Sequence, residues 1–365
     1  MSQELTRRTL CFLTSTAGIT FVAKLSGEER ALSSRQKTPK QMNPITDVPA
    51  SPAVAGLGVL TWRDQQFLPE GVSGGAFAVV AGKLLYSGGT TWRNSVKHWL
   101  SETHIYTPET GIWTPGPHLP ERLAYGASLR INQSVEILGG ANESGISRNC
   151  WRFDPDKNAW LSSGILPEGS VFATAETVQG EAYLFGGCPD QGDLSHCSNS
   201  VWKREDAKHW TIVAEMPQGR IAMPATVSVQ DRIYLFGGCS QDAASGIRNH
   251  NEAYCFDPRH GHWTALRPLP VAVRGTSAVA IDTRYILLVG GYTNAAADSN
   301  DLQGGFTAAS YLYDREQDRY QPVTALPRPV MGMEILRQGD TIWGAGGEDR
   351  NRSRTPQLVE GSFLK

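Results

Sequence analysis

The chain has 365 residues, with 34 Lys and Arg against 36 Asp and Glu, and that near-neutral balance gives no reason to expect a nucleic-acid partner. Glycine is frequent, at 38 residues, as a turn-rich β protein requires. Beyond the N-terminal segment no apolar run approaches the roughly 18 residues of a membrane-spanning helix.

In chain order, Thr6-Arg7-Arg8-Thr9-Leu10-Cys11 opens a mildly apolar run ending at Ala23. This resembles a bacterial twin-arginine export signal, so residues 1–25 are expected to direct the chain out of the cytoplasm, to the periplasm. No small-x-small cleavage site follows Ala23, and an uncleaved signal would remain as a membrane anchor. Residues 26–55, polar and rich in Ser, Pro and Lys, are expected to form a linker.

From residue 56 onward the chain repeats itself. A β-rich run ending in two glycines recurs six times, with the first glycine of each pair at 88, 139, 186, 237, 290 and 346. A period near 50 indicates propeller blades rather than solenoid repeats. A second marker keeps the register: an aromatic on the third strand is followed seven residues later by another, as in Tyr106 and Trp113, Phe153 and Trp160, Phe256 and Trp263, Tyr313 and Tyr320. Trp202 and Trp210 are eight apart, which suggests one inserted residue in that turn. The pattern resembles the kelch repeat over residues 56–365, and the fold expected is an all-β, six-bladed kelch-type β-propeller.

The chain's ends say how the ring closes. The last blade has strands near Met331 to Leu336, Thr341 to Gly346 and Gln357 to Leu364, and no fourth. Leu60 to Pro69 looks like a fourth strand with nothing before it. An N-terminal strand completing the last blade would leave no unpaired edge there.

Of the six cysteines, Cys188 and Cys197 share one loop and are close enough to pair in an exported protein. No spacing matches a zinc signature. The loop from Tyr292 to Phe306, with Asp298, Asn300 and Asp301, lacks regular calcium-ligand spacing and reads as solvated. No metal or cofactor is expected.

In such blades the loop after strand two and the link from strand four to the next strand one share a face. Arg122, Arg220, Arg274 and Arg328 sit on those links. They would suit an anionic ligand, such as the carboxylate of a small acidic sugar, unless they salt-bridge neighbouring loops.

The last loop, Gly346-Gly347-Glu348-Asp349-Arg350-Asn351-Arg352-Ser353-Arg354, carries a narrower resemblance. A Gly-Glu with an Arg six residues after the Glu is similar to the active-site loop of the N-acetylneuraminate epimerases, the sialic acid mutarotases. Leu60-Thr61-Trp62 and Ala124-Tyr125-Gly126 look like that family's later blades displaced to the front, as in its cyclically permuted branch. The resemblance implies an isomerase in which Glu348 accepts the anomeric hydroxyl proton. In that scheme Arg354 holds the sugar carboxylate or stabilises developing charge. The alternative is a non-catalytic kelch propeller binding a glycan or protein partner. A copper-radical oxidase on similar blades would need a Cys, Tyr and His set that the sequence does not supply.

Overall fold

The computed structural model describes residues 53–131, 133–242, 246–293 and 305–365. The expected export signal, residues 26–52 of the linker and the acidic positions 298–301 lie outside them. Within the described residues the fold is six four-stranded antiparallel sheets.

The innermost strands are Ala76–Val80, Ala127–Ile131, Thr174–Val178, Ala225–Val229, Ser277–Ala280 and Glu334–Gln338. Each is followed by the β-rich run that ends at a glycine pair. Those second strands are covered by a neighbouring blade on either side, which is why Tyr285–Val289 is buried along its whole length and reads as continuously apolar rather than alternating.

The sixth sheet joins Glu334–Gln338, Thr341–Ala345 and Leu358–Leu364 to Val59–Asp64. Val59 lies opposite Leu364 and Asp64 opposite Val359, so the N-terminal strand closes the ring as the strand count predicts. Leu60 is fully buried in this seam. Trp62 ties the seam to the fifth blade by donating Nε1–H to the Thr324 carbonyl at 3.1 Å.

The glycine pairs have one job in all six blades. At Gly346 and Gly347 φ is +65° and +107°, the left-handed region that side chains resist. A Cβ on Gly346 would stand 2.6 Å from the Val72 carbonyl oxygen, and Gly347 N–H donates to that same oxygen at 2.8 Å. Each pair thus lets one blade hydrogen-bond to the link entering the next, and Gly347 to Val72 is the bond that closes the circle.

The aromatic pairs face each other across strands three and four, with centroids 5.1 Å apart for Tyr106 and Trp113 and 4.7 Å for Phe256 and Trp263. The third blade departs from the expected insertion. Trp210 lies opposite Arg204, and Trp202 opposite Ile212, so the turn between the paired positions is one residue shorter than in other blades, not longer. Arg204 takes the aromatic's place, its guanidinium 5.5 Å from the Trp210 ring centroid, while it also binds the buried Glu136 at 2.7 and 2.9 Å.

Candidate functional site at the channel mouth

The links and the post-glycine loops meet in a repeated bridge around the axis. Ser73 pairs with Thr90, Ala124 with Ala141, Val171 with Cys188, Ala222 with Cys239, Arg274 with Tyr292, and Met331 with Glu348. Glu348 is the only charged residue among the six that follow a glycine pair.

One step beyond these bridges a second ring encircles the mouth. Gly74, Tyr125, Phe172, Met223, Gly275 and Gly332 all have φ between +54° and +72°. Five backbone N–H···O bonds of 2.7–3.1 Å run from blade to blade through them. Three carry large side chains despite a left-handed backbone that costs each on the order of 1 kcal/mol. The mouth is therefore two-sided: Tyr125, Phe172 and Met223 form an apolar half, with the Tyr125 and Phe172 rings 5.0 Å apart, and three glycines leave the other half open. A side chain at Gly74 would run into the Tyr125 ring, with its Cβ 2.6 Å from Cδ1.

Below the ring lies a cavity of about 220 Å³ lined by all six blades, with Glu348 at its upper edge. Such a volume holds on the order of ten waters. The Glu348 side chain is 20 % exposed and Arg354, 3.1 Å away, 4 %. Arg354 donates Nε–H to Thr90 Oγ1 at 3.1 Å, an Nη2 proton to Tyr125 Oη at 3.2 Å and an Nη1 proton to the Ser353 carbonyl at 2.8 Å. Lys97 covers the Tyr125 ring at 4.6 Å. Burial raises the Glu348 carboxyl above its ordinary value, opposed by Arg354 first and then by Lys97 and Arg274, with Asp349 adding to the rise. The loop thus folds back so that its own arginine clamps its carboxylate and stitches the sixth blade to the first and second.

The four link arginines are engaged elsewhere, and none lines the cavity. Arg122 pairs with Glu143 at 2.7 Å, Arg220 donates to the Ser195 carbonyl at 3.3 Å, and Arg328 pairs with Asp64. Arg274 donates to Asn249 Oδ1 at 2.8 Å and stacks 4.2 Å from the Tyr292 centroid. The acidic and basic side chains lining the cavity besides Glu348 are Arg130, Glu176 and Glu334, which the sequence reading missed. Their signal was available: charges inside short innermost strands, where small and apolar residues predominate.

The Attractin/LZTR1 β-propeller family model matches residues 84–348. The chain belongs to this family. Kelch-like protein 35 of Mus musculus is 25 % identical over 286 residues, 77 % of this chain and 44 % of that protein. Beta-scruin of Limulus polyphemus is 27 % identical over 231 residues, 61 % of this chain and 24 % of its own. Kelch-like protein 25 of Xenopus tropicalis is 24 % identical over 243 residues, 64 % and 38 %. The chain spans less than half the length of each of these relatives.

The family corrects the isomerase expectation. The matched family is an Attractin/LZTR1 propeller and the relatives are Kelch-like proteins and a scruin, and none of these names denotes an isomerase. The physical source of the misreading is the Glu348 and Arg354 spacing: a loop that turns back on itself to form its own ion pair produces the same short pattern as a catalytic pair. What the matches support is the kelch-type propeller itself.

Proposed function

We propose that this propeller is a protein-binding module and that the mouth face is its docking surface. The observation that carries this reading is the set of exposed apolar side chains on the hairpins and links of the mouth face. Val96, 55 % exposed, is at the tip of the hairpin Thr90–Arg93 and Val96–Trp99, and Ile247, 45 % exposed, is on the hairpin Cys239–Asp242 and Gly246–Asn249. Phe67 and Val271, both exposed, sit on links of the same face. Apolar tips around a recessed polar centre fit a macromolecular partner better than a free sugar, which needs no such rim. The first hairpin is held over the mouth by Lys97, 4.9 Å from the Trp99 centroid as well as stacked on Tyr125.

The test is site-specific photocrosslinking in cells producing the protein. A crosslinking residue at Val96 is expected to trap a discrete protein, lost when Ile247 is changed to Asp. The same residue at Ile212, on an outer strand, is expected to trap none. Equal trapping at both positions, or trapping indifferent to Ile247→Asp, would remove the assignment of this face.

A further inference from the structure

The charged lining of the channel is unbalanced. Glu334 lies two residues beyond the ring residue Gly332, about 7 Å further along the innermost strand of the sixth blade. Arg130 reaches it from the second blade, donating Nε–H to the Phe77 carbonyl at 2.9 Å on the way and bringing Nη2 to 3.5 Å from Glu334 Oε2. Glu176, on the third blade, accepts the Ser228 backbone N–H at 3.0 Å and draws on the same guanidinium. One arginine therefore serves two carboxylates.

The shortfall shows in both groups. Burial pushes the Glu334 carboxyl up to about 7 against the pull of Arg130. Burial also raises that of Glu176, against Arg130 and the hydrogen bonds of Ser228 and Thr226. Tyr86, buried nearby, brings no positive charge, and the cations around Glu348 belong to the mouth. Thr174, which lines the same cavity, leaves its buried hydroxyl without a partner.

We propose that the channel is a receptor for one basic side chain: a lysine or arginine of the docked protein segment enters past Phe172 and Met223 and places its charge between Glu334 and Glu176. The proposal rests on the docking reading for the source of that side chain. The depth from ring to Glu334 matches the reach of an extended Lys or Arg, whose methylene stem suits the apolar half of the mouth. The added cation brings two carboxylates and one guanidinium to neutrality, whereas an anion would double the excess charge. A divalent metal fits less well, because it needs several oxygens converging on one point and no group of three or more such ligands comes together among the described residues.

The experiment is a calorimetric titration of the folded full chain at pH 7 with n-butylguanidinium, n-butylammonium, butyrate and n-butanol, in two buffers of different ionisation enthalpy. Both cations are expected to bind saturably and butyrate and butanol not to bind. Protons should be released on binding, because a cation favours ionised Glu334. Glu334→Gln is expected to weaken cation binding about tenfold or more, and Glu176→Gln serves as a second, independent variant should the first not fold. Butyrate binding as tightly as the cations, or cation affinity unchanged in the Gln variants, overturns the proposal. If Val96 crosslinks a protein while the channel ignores cations, the channel proposal falls and the docking reading stands. Cation binding without any crosslink sinks the docking reading, and with it the claim that a partner supplies the side chain.

Discussion

Glu348 and Glu334 belong to the same blade and border the same cavity, yet their environments have different origins. Glu348 sits on a loop that carries its own counter-charge six residues on, and Arg354 is held in turn by Thr90 and Tyr125. Glu334 sits on a strand with no cation of its own blade beside it, and depends on an arginine arriving from the second blade. A carboxylate whose partner travels with it is locked in place. Burial raises both carboxyls, but Glu334 shares its single arginine with Glu176, and that shortfall is what a ligand can use.

The largest effect should come from breaking the closure on which both sites depend. Removing residues 56–69 deletes the strand Val59–Asp64 and with it the ladder to Leu358–Leu364; circular dichroism should then show no cooperative melt. A product that still melts cooperatively would refute ring closure by this strand.

Next is the clamp. Arg354→Met strands Glu348 in a largely buried site and should cost on the order of 3 kcal/mol in urea denaturation. Adding Glu348→Gln should restore much of that loss, because no unpaired charge remains. If the double variant is as unstable as the single, Arg354 contributes through its bonds to Thr90 and Tyr125 and not through the ion pair.

The channel carboxylate gives a smaller, pH-dependent effect. Glu334 has its folded value at about 7 against an ordinary 4.5, so the folded state holds the proton more tightly than the unfolded chain does. Its contribution to stability is complete below pH 4.5 and is lost as pH rises through 7. Glu334→Gln should therefore gain on wild type between pH 4.5 and pH 8, by roughly 1–3 kcal/mol. Parallel stability curves for the two proteins would show that Glu334 is not perturbed. Smallest of all, Arg122→Ala removes only a solvent-exposed pair with Glu143, and denaturation should not distinguish it from wild type.

The architecture was legible because it is periodic. Gly-Gly recurs wherever a blade must pass a hydrogen bond to the next at a backbone geometry other residues resist, and six such pairs with one strand missing at the end dictate both the blade number and the closure. The third blade was misread because the spacing of two tryptophans cannot tell an aromatic register from an arginine that has taken over one aromatic's position, as Arg204 has. Glu348 and Arg354 were legible as a pair, since six residues of one loop separate them, but not as a clamp. How the pair is held at the cavity edge depends on Thr90 and Tyr125, more than 200 residues away in the chain.

The sequence by itself determined the repeat, the turn chemistry and the seam, all of which act over a few residues or recur at fixed intervals. Only the tertiary structure decided the character of the mouth and channel. It turned the four link arginines to neighbouring loops and links, divided the ring into an apolar and a glycine half, and brought Arg130, Glu176 and Glu334 from three blades to one axis. The physical reason is that charges in a narrow channel interact through space at a few ångströms, whatever their separation along the chain, and no local pattern encodes that distance.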